Sequence, residues 1–373
     1  MTSTTSADVG TAPDAVATAA FAQRIFDAVL GAQEVQAMYL GDRLGYYRAL
    51  AAEGPATPAE LAARTGSSPR YAQEWLEHQA VAGYLEVDDP GAEPDDRRFS
   101  LSPAAAEVLT AELSLDYALP LASITAAFGK QLDALVEAYR TGGGVSWSTF
   151  GEDARRAQGD ANRPLLLGPL AREHLPAIPD VDAALRAGGR VADIGCGYGW
   201  SSIGIALAYP EARVDGFDVD GPSVRAARRN AEEAGVAGRV RFLDVDVAAL
   251  EPEDVYDLVL AVECIHDMSD PVSVLRTMRE RVSDGGTVLV VDERVAEAFS
   301  APGDEVERLM YGYSLTCCLP DGLSHAPSAG TGTVMRPARL EGYARDAGFG
   351  AVEVLPIEHD FFRFYRLHPA PAS

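Results

Sequence analysis

Two stretches of this chain hold residue types that can do chemistry. The first is Asp193-Ile194-Gly195-Cys196-Gly197-Tyr198-Gly199, in which three glycines alternate after the apolar residues Val191, Ala192 and Ile194. Glycine tolerates positive φ and lets backbone N–H groups approach a ligand with no Cβ in the way. An apolar run, a glycine turn and a helix-like segment from Ser201 to Ala208 follow the order in which an α/β sheet holds a nucleotide-like cofactor. The second stretch is Glu263-Cys264-Ile265-His266-Asp267-Met268-Ser269-Asp270, directly after the apolar run Leu258 to Val262. His266 therefore emerges at the carboxyl edge of a strand, where ligands of such sheets sit. An imidazole with a pKa of about 6.5 can take a proton at neutral pH. A carboxylate that orients its ring would help, and Asp267, Asp292 and Glu293 are the candidates.

The elements that must carry these residues are legible from alternation. Strands are expected at 190–194, 213–218, 239–243, 256–262, 286–292, 350–356 and 361–366, with helices near 200–208, 221–234, 271–281 and 337–347. That order implies a largely parallel sheet with helices on both faces. The last two strands are separated by too few residues for a crossover, so they form an antiparallel hairpin. The strand Val214–Asp218 ends in an acid that can accept both ribose hydroxyls of an adenosine cofactor, with Asp220 as the fallback.

Ahead of this domain, residues 20–50 show helical periodicity in Phe21, Ile25, Val29, Met38, Leu40, Leu44 and Tyr47. Thr57-Pro58-Ala59-Glu60 reads as a capping box with proline at the first helical position. A second helix from Pro69 to Ala82 leads into strands at 83–87 and 97–101. Helix, turn, helix and hairpin make a winged-helix pattern. The expected organisation is a disordered tail over 1–19, a winged-helix domain over 20–110 and a helical connector over 111–186. A cofactor-binding domain over 187–373 follows, with an insertion at 300–336. Within the insertion, Met310 to Arg336 shows no clear secondary structure and reads as a lid or binding loop.

Composition excludes several function classes. The net charge is −25, and the first 110 residues hold 16 acids against 7 bases. That is the wrong sign for a phosphate footprint, so nucleic acid is not an expected partner despite the winged-helix pattern. No run is expected to reach the roughly 18 apolar residues of a membrane span. The N-terminal residues lack the basic and apolar regions of a signal peptide. Cys196, Cys264, Cys317 and Cys318 show neither a paired Cys-x-x-Cys nor a histidine at metal spacing. They read as reduced thiols of a cytoplasmic protein, with no metal site expected.

The Asp-x-Gly-x-Gly-x-Gly spacing of 193–199 resembles the first motif of class I S-adenosylmethionine-dependent methyltransferases, and Asp218 fits the acid of their second strand. In that family an acid just past the next strand faces the adenine amino group, a role that falls on Asp246, with Asp244 possible. Val219 and Val247 flank these acids. Tyr198, Trp200 and Glu263 are candidates to hold the sulfonium, a cation in a crevice. His266 to Asp270 resembles the His-Asp-Trp-Ser-Asp stretch of plant-type small-molecule O-methyltransferases, whose histidine is the general base; here Met268 replaces the tryptophan. Gly159 to Pro164, with Asn162 and Arg163, resembles the stretch lining the substrate pocket in those enzymes. Trp147, Met268 and Tyr313 are further substrate-wall candidates, and His325 is an alternative base. The whole arrangement is similar to plant-type and actinobacterial winged-helix methyltransferases. It implies a Rossmann-like seven-stranded sheet and a homodimer joined through the N-terminal domain. It also implies S-adenosylmethionine as cofactor, no metal, and a small hydroxyl-bearing acceptor. N- or C-methylation, or a regulator that binds the cofactor without chemistry, are the alternatives.

Overall fold

The computed structural model describes residues 14–247 and 255–370. The expected tail falls partly outside these residues. The part inside is not tail, because helix Ala15–Leu44 begins there with Asp14 accepting the Val16 N–H as its cap. An alanine-rich first turn explains the extension, since alanine loses least on entering a helix. Contacts divide the chain into two compact units, Met1–Thr110 and Ala111–Ser373. The segment expected as a connector thus belongs to the same unit as the sheet.

In the first unit, helices Ala15–Leu44, Tyr46–Glu53, Pro58–Thr65 and Pro69–Val81 precede strands β1 (Glu86–Val87) and β2 (Phe99–Ser100), which pair antiparallel. The capping box forms as expected, with Thr57 and Glu60 each serving the other's backbone N–H. Trp75 organises the core. Tyr46 and Tyr47 meet it edge-on at 4.8 and 5.0 Å, and its Nε1 donates to Ala37 O. A Cβ on Gly41 would lie 2.4 Å from the Trp75 ring, so only glycine lets the first helix pass. The outer face of that helix is apolar and exposed at Phe21, Ile25, Phe26, Val29 and Leu30. Its 18-residue window of mean hydropathy 1.2 is long and apolar enough to cross a membrane by length and composition. The expectation that no segment reaches that limit is corrected at this helix.

The second unit is built on seven strands: β3 (Arg190–Ile194), β4 (Arg213–Asp218), β5 (Val240–Asp244), β6 (Tyr256–Val262), β7 (Val282–Glu293), β8 (Phe349–Val354) and β9 (Phe362–Pro369). Their order is β5-β4-β3-β6-β7-β9-β8, with β9 antiparallel to both neighbours and β3 to β7 parallel. Central strands are apolar on both faces; Val259, Leu260 and Ala261 are wholly buried, as helices on both sides require. Fully burying each such valine or leucine side chain contributes about 1.5–3 kcal/mol.

Register is what assembles the site. Ile194 stands beside Phe217 on β4 and Ala261 on β6, and Ala261 beside Val290 on β7. The residues that leave these strands next, Gly195, Asp218, Glu263 and Asp292, therefore emerge along one sheet edge.

The 300–336 insertion corrects the sequence reading. It holds helix Glu305–Tyr313, a π-helical turn Ser314–Cys318 and helix Leu319–Leu323. Asp304 caps the first by accepting the Glu307 N–H at 2.8 Å, and buried Glu307 pairs with Arg336 at 2.5 Å to tie the insertion's two ends. Helix Trp147–Leu167 is bent where Gly151 takes φ 79°.

Candidate active site

A cleft of about 1560 Å³ opens along the carboxyl edge of the sheet, within the second unit. Pockets for a single drug-sized ligand span roughly 300–1,000 Å³. This one has room for a cofactor and an acceptor side by side. Its walls come from the glycine loop, the ends of β4 to β7, helix Trp147–Leu167, the insertion and the β8–β9 turn.

At the cofactor end, Gly195, Gly197 and Gly199 all take positive φ (67°, 52° and 79°). They are not equivalent. A Cβ on Gly197 would meet nothing within 4 Å, so this position is open toward the cleft. A Cβ on Gly199 would lie 2.4 Å from the Phe242 ring, and Gly199 is not among the lining residues. It packs helix Trp200–Ala208 against the sheet. Gly197 N–H donates to Asp218 Oδ2 at 2.8 Å and Asp220 N–H to Asp218 Oδ1 at 2.8 Å, fixing that carboxylate at the cleft wall. Burial raises the Asp218 pKa.

Asp193 sits behind the loop, 1% exposed, accepting the Ser201 and Ser202 hydroxyls at 2.5 and 2.6 Å. Burial pushes its carboxyl up to about 6. Val219, Asp246 and Val247 line the cleft, while Asp244 does not and instead lies against Gly221. The choice left open between the two acids thus falls on Asp246 as the cleft residue. Asp220, the fallback, caps helix Gly221–Glu233 and makes a buried ion pair with Arg155 at 2.7 Å. Arg155 carries no motif and was invisible in sequence.

Glu263 is the only non-glycine residue with positive φ (51°) among the described residues. Its N–H donates to Val291 O, and its carboxylate receives the Asn162 and Gln158 side-chain amides at 2.5 and 3.3 Å. Burial pushes it up to about 7. A backbone conformation disfavoured for a side chain is thus held in place at the cleft by three hydrogen bonds.

At the other end, His266 lies on the cleft floor, 2% exposed. Its Nδ1 faces Asp292 Oδ1 at 2.8 Å and Glu293 Oε2 at 3.0 Å, and its Nε2 faces Asp267 Oδ1 at 3.3 Å. Burial alone would lower the imidazole pKa; Asp267, Glu293 and Asp292 outweigh it and hold the ring well above its usual value. The paired acids split. Burial pushes Glu293 well up, whereas at Asp292 the His266 charge and hydrogen bond overcome burial and hold it low.

Trp147, Asn162, Met268 and Tyr313 line the cleft as expected, joined by Phe128 and Ile124. Arg163 does not. It pairs with Glu112 at 3.0 Å and covers the Trp200 ring at 4.6 Å, so it braces the wall from behind. His325 lines the cleft without the carboxylates that surround His266. The cysteines all line the same cleft, and Cys318 reaches His266 and Asp267. Spacing along the chain could not show that convergence, since the insertion folds back over more than 50 residues.

The family model described as a methyltransferase domain matches residues 185–319, the span that holds the glycine loop, Asp218 and His266. Residues 185–319 thus carry a methyltransferase domain. The chain is 29% identical over 177 residues to the ubiquinone biosynthesis O-methyltransferase of Ralstonia nicotianae, covering 47% of this chain and 68% of that protein. Among solved structures it is similar to mitomycin 7-O-methyltransferase MmcR (23% identity, TM-score 0.70), with 96% of this chain and all of that one covered. It is also similar to human N-acetylserotonin methyltransferase in complex with S-adenosylmethionine (18% identity, TM-score 0.71), covering 97% of this chain and all of that one. At such identities the structural likeness establishes the fold of the chain. The cofactor's fit rests on this chain's own loop, where Gly197 leaves an open cradle beside a fixed Asp218 carboxylate.

Proposed function

We propose that this methyltransferase methylates a hydroxyl of a small molecule, with His266 as the general base. The observation that carries this reading is the placement of His266 in the same cleft as the glycine loop, its ring held at Nδ1 by Asp292 and Glu293. Those carboxylates hold the Nδ1 proton, which leaves Nε2, beside Asp267 Oδ1, as the nitrogen that exchanges a proton with the acceptor. S-adenosylmethionine supplies a methyl group on a sulfonium sulfur. Asp218 would accept the ribose hydroxyls, Asp246 would face the adenine, and Asn162 and Gln158 hold Glu263 where a cation can use its charge. Nε2 takes the hydroxyl proton as the acceptor oxygen gains the methyl. Phe128, Trp147, Met268 and Tyr313 form a wall suited to a flat, mainly apolar acceptor. Positioning in line supplies much of the remaining rate.

The test is transfer of isotope-labelled methyl from S-adenosylmethionine into a small-molecule extract, read by mass spectrometry. Labelled ethers are expected from the wild type; label found only on nitrogen or carbon would refute O-methylation. For the cofactor end, Asp218→Ala is expected to weaken S-adenosylmethionine binding by about 1.5–3 kcal/mol through lost charged hydrogen bonds. Unchanged calorimetric affinity would remove the ribose role.

The N-terminal unit reads as a winged-helix dimerisation module, its exposed stripe from Phe21 to Leu30 covered by a second copy. Phe26→Glu combined with Leu30→Glu should convert a dimer to a monomer in light scattering. A double variant with the wild-type mass would mean the stripe serves something else.

A further inference from the structure

His266, Asp267 and Cys318 meet at one point of the cleft, drawn from the loop after β6 and from the π-helical turn of the insertion. One donor atom from each lies within 4.8 Å of the other two. His266 Nε2 is 3.3 Å from Asp267 Oδ1. A tetrahedral zinc ion with Zn–N and Zn–O bonds of about 2.0–2.2 Å has an N···O edge of roughly 3.3–3.5 Å, so this pair already stands at coordination spacing. Asp267 Oδ1 is shut off from solvent. On the far side of the ring, the Nδ1 contact with Asp292 at 2.8 Å is the carboxylate–histidine arrangement that fixes the tautomer of a metal-bound imidazole. All three donor residues line the cleft, leaving a fourth position open.

We propose that His266 Nε2, Asp267 Oδ1 and Cys318 Sγ form a binding site for a thiophilic divalent cation, zinc above all, and that its occupation stops methyl transfer. A mixed nitrogen, oxygen and sulfur set favours zinc over magnesium or calcium, which take oxygen ligands. Zinc displaces the protons of the imidazole and thiol as it binds. It then holds the Nε2 lone pair that an acceptor proton needs. The inhibitory part rests on His266 being the base; the binding part stands without it.

The test strips the full chain with EDTA and titrates it with ZnCl2 by calorimetry and with Co2+ by absorption, alongside Cys318→Ser, Cys317→Ser and Asp267→Asn. One zinc per wild-type chain and a Co2+–thiolate charge-transfer band are expected, both retained in Cys317→Ser. Cys318→Ser should lose the band and bind zinc at least about tenfold more weakly; Asp267→Asn should lose affinity similarly but keep the band. With each variant's turnover in EDTA as its own reference, zinc should lower that of the wild type and Cys317→Ser and leave that of Cys318→Ser unchanged at the same concentration. No stoichiometric zinc binding, or a thiolate band that survives Cys318→Ser, overturns the site. Binding that depends on Cys318 but leaves wild-type turnover untouched overturns the inhibition, and with it the assignment of His266 as base, while the site stands.

Discussion

Replacing His266 with alanine is expected to lower turnover by about 10²–10⁴-fold while affinity for S-adenosylmethionine stays unchanged. The split follows from geometry. The residues assigned to the ribose and adenine hang from the glycine loop and the ends of β4 and β5; His266 shares the end of β6 with Glu263 alone among the cofactor residues and is held from β7. Removing the ring deletes the proton acceptor and leaves Asp218, Gly197 and Asp246 in place. It also strands two buried carboxyls, because His266 is what holds Asp292 low. His266→Gln is therefore the companion variant, since its amide can still donate toward Asp292 but cannot take a proton. Both variants should bind cofactor in calorimetry and fail in labelled methyl transfer. Near-normal turnover in either would sink the general-base role.

Asp193→Asn is expected to stabilise the fold at neutral pH by up to about 3 kcal/mol, and to lose that advantage in acid. The carboxyl is fully buried and pushed up to about 6, against about 3.9 for a free aspartate, at about 1.4 kcal/mol for each tenfold change in proton affinity. The sign follows from linkage. The unfolded chain releases this proton near pH 4 and the folded chain near pH 6. The penalty therefore grows as pH rises between those values and stays constant above. Below pH 4 both states hold the proton and the penalty vanishes. Asparagine keeps an oxygen for the Ser201 and Ser202 hydroxyls, which both donate to one carboxylate oxygen, and the part of the difference that varies with pH reports the charge. Unfolding free energies of the two proteins should converge at pH 4 and separate by pH 7.5. A gap independent of pH would mean that Asp193 is not the source. A buried charge kept at such a cost behind a glycine loop fits a site that must attract a sulfonium cation.

Much of this protein was readable from local chemistry. The alternation of apolar runs and amphipathic segments placed β3, β4 and β6 and their helices to within a residue or two, because hydrophobic periodicity is set by which face is buried. The capping box at Thr57 and Glu60 is a contact over three residues, and such contacts are written in composition. Asp218 and His266 were visible because parallel strands all present their carboxyl ends at one edge. Even so, spacing could not distinguish the open Gly197 from the packed Gly199, since only Phe242, on another strand, tells them apart.

What local pattern missed lies in contacts between segments far apart in the chain. The insertion is helical because Asp304 caps it and Arg336 closes it, a pairing across nearly thirty residues. Arg163 matched a motif yet turned away once Glu112 and Trp200 were folded beside it. Arg155 had no motif and became half of a buried ion pair with Asp220. The order of strand, loop and helix, and with it the chemistry of the sheet edge, follows from short-range propensity and periodicity. Which carboxylate meets His266, and that a thiol from residue 318 joins it, depends on packing across the whole sheet, because burial and charge compensation are properties of the assembled cleft.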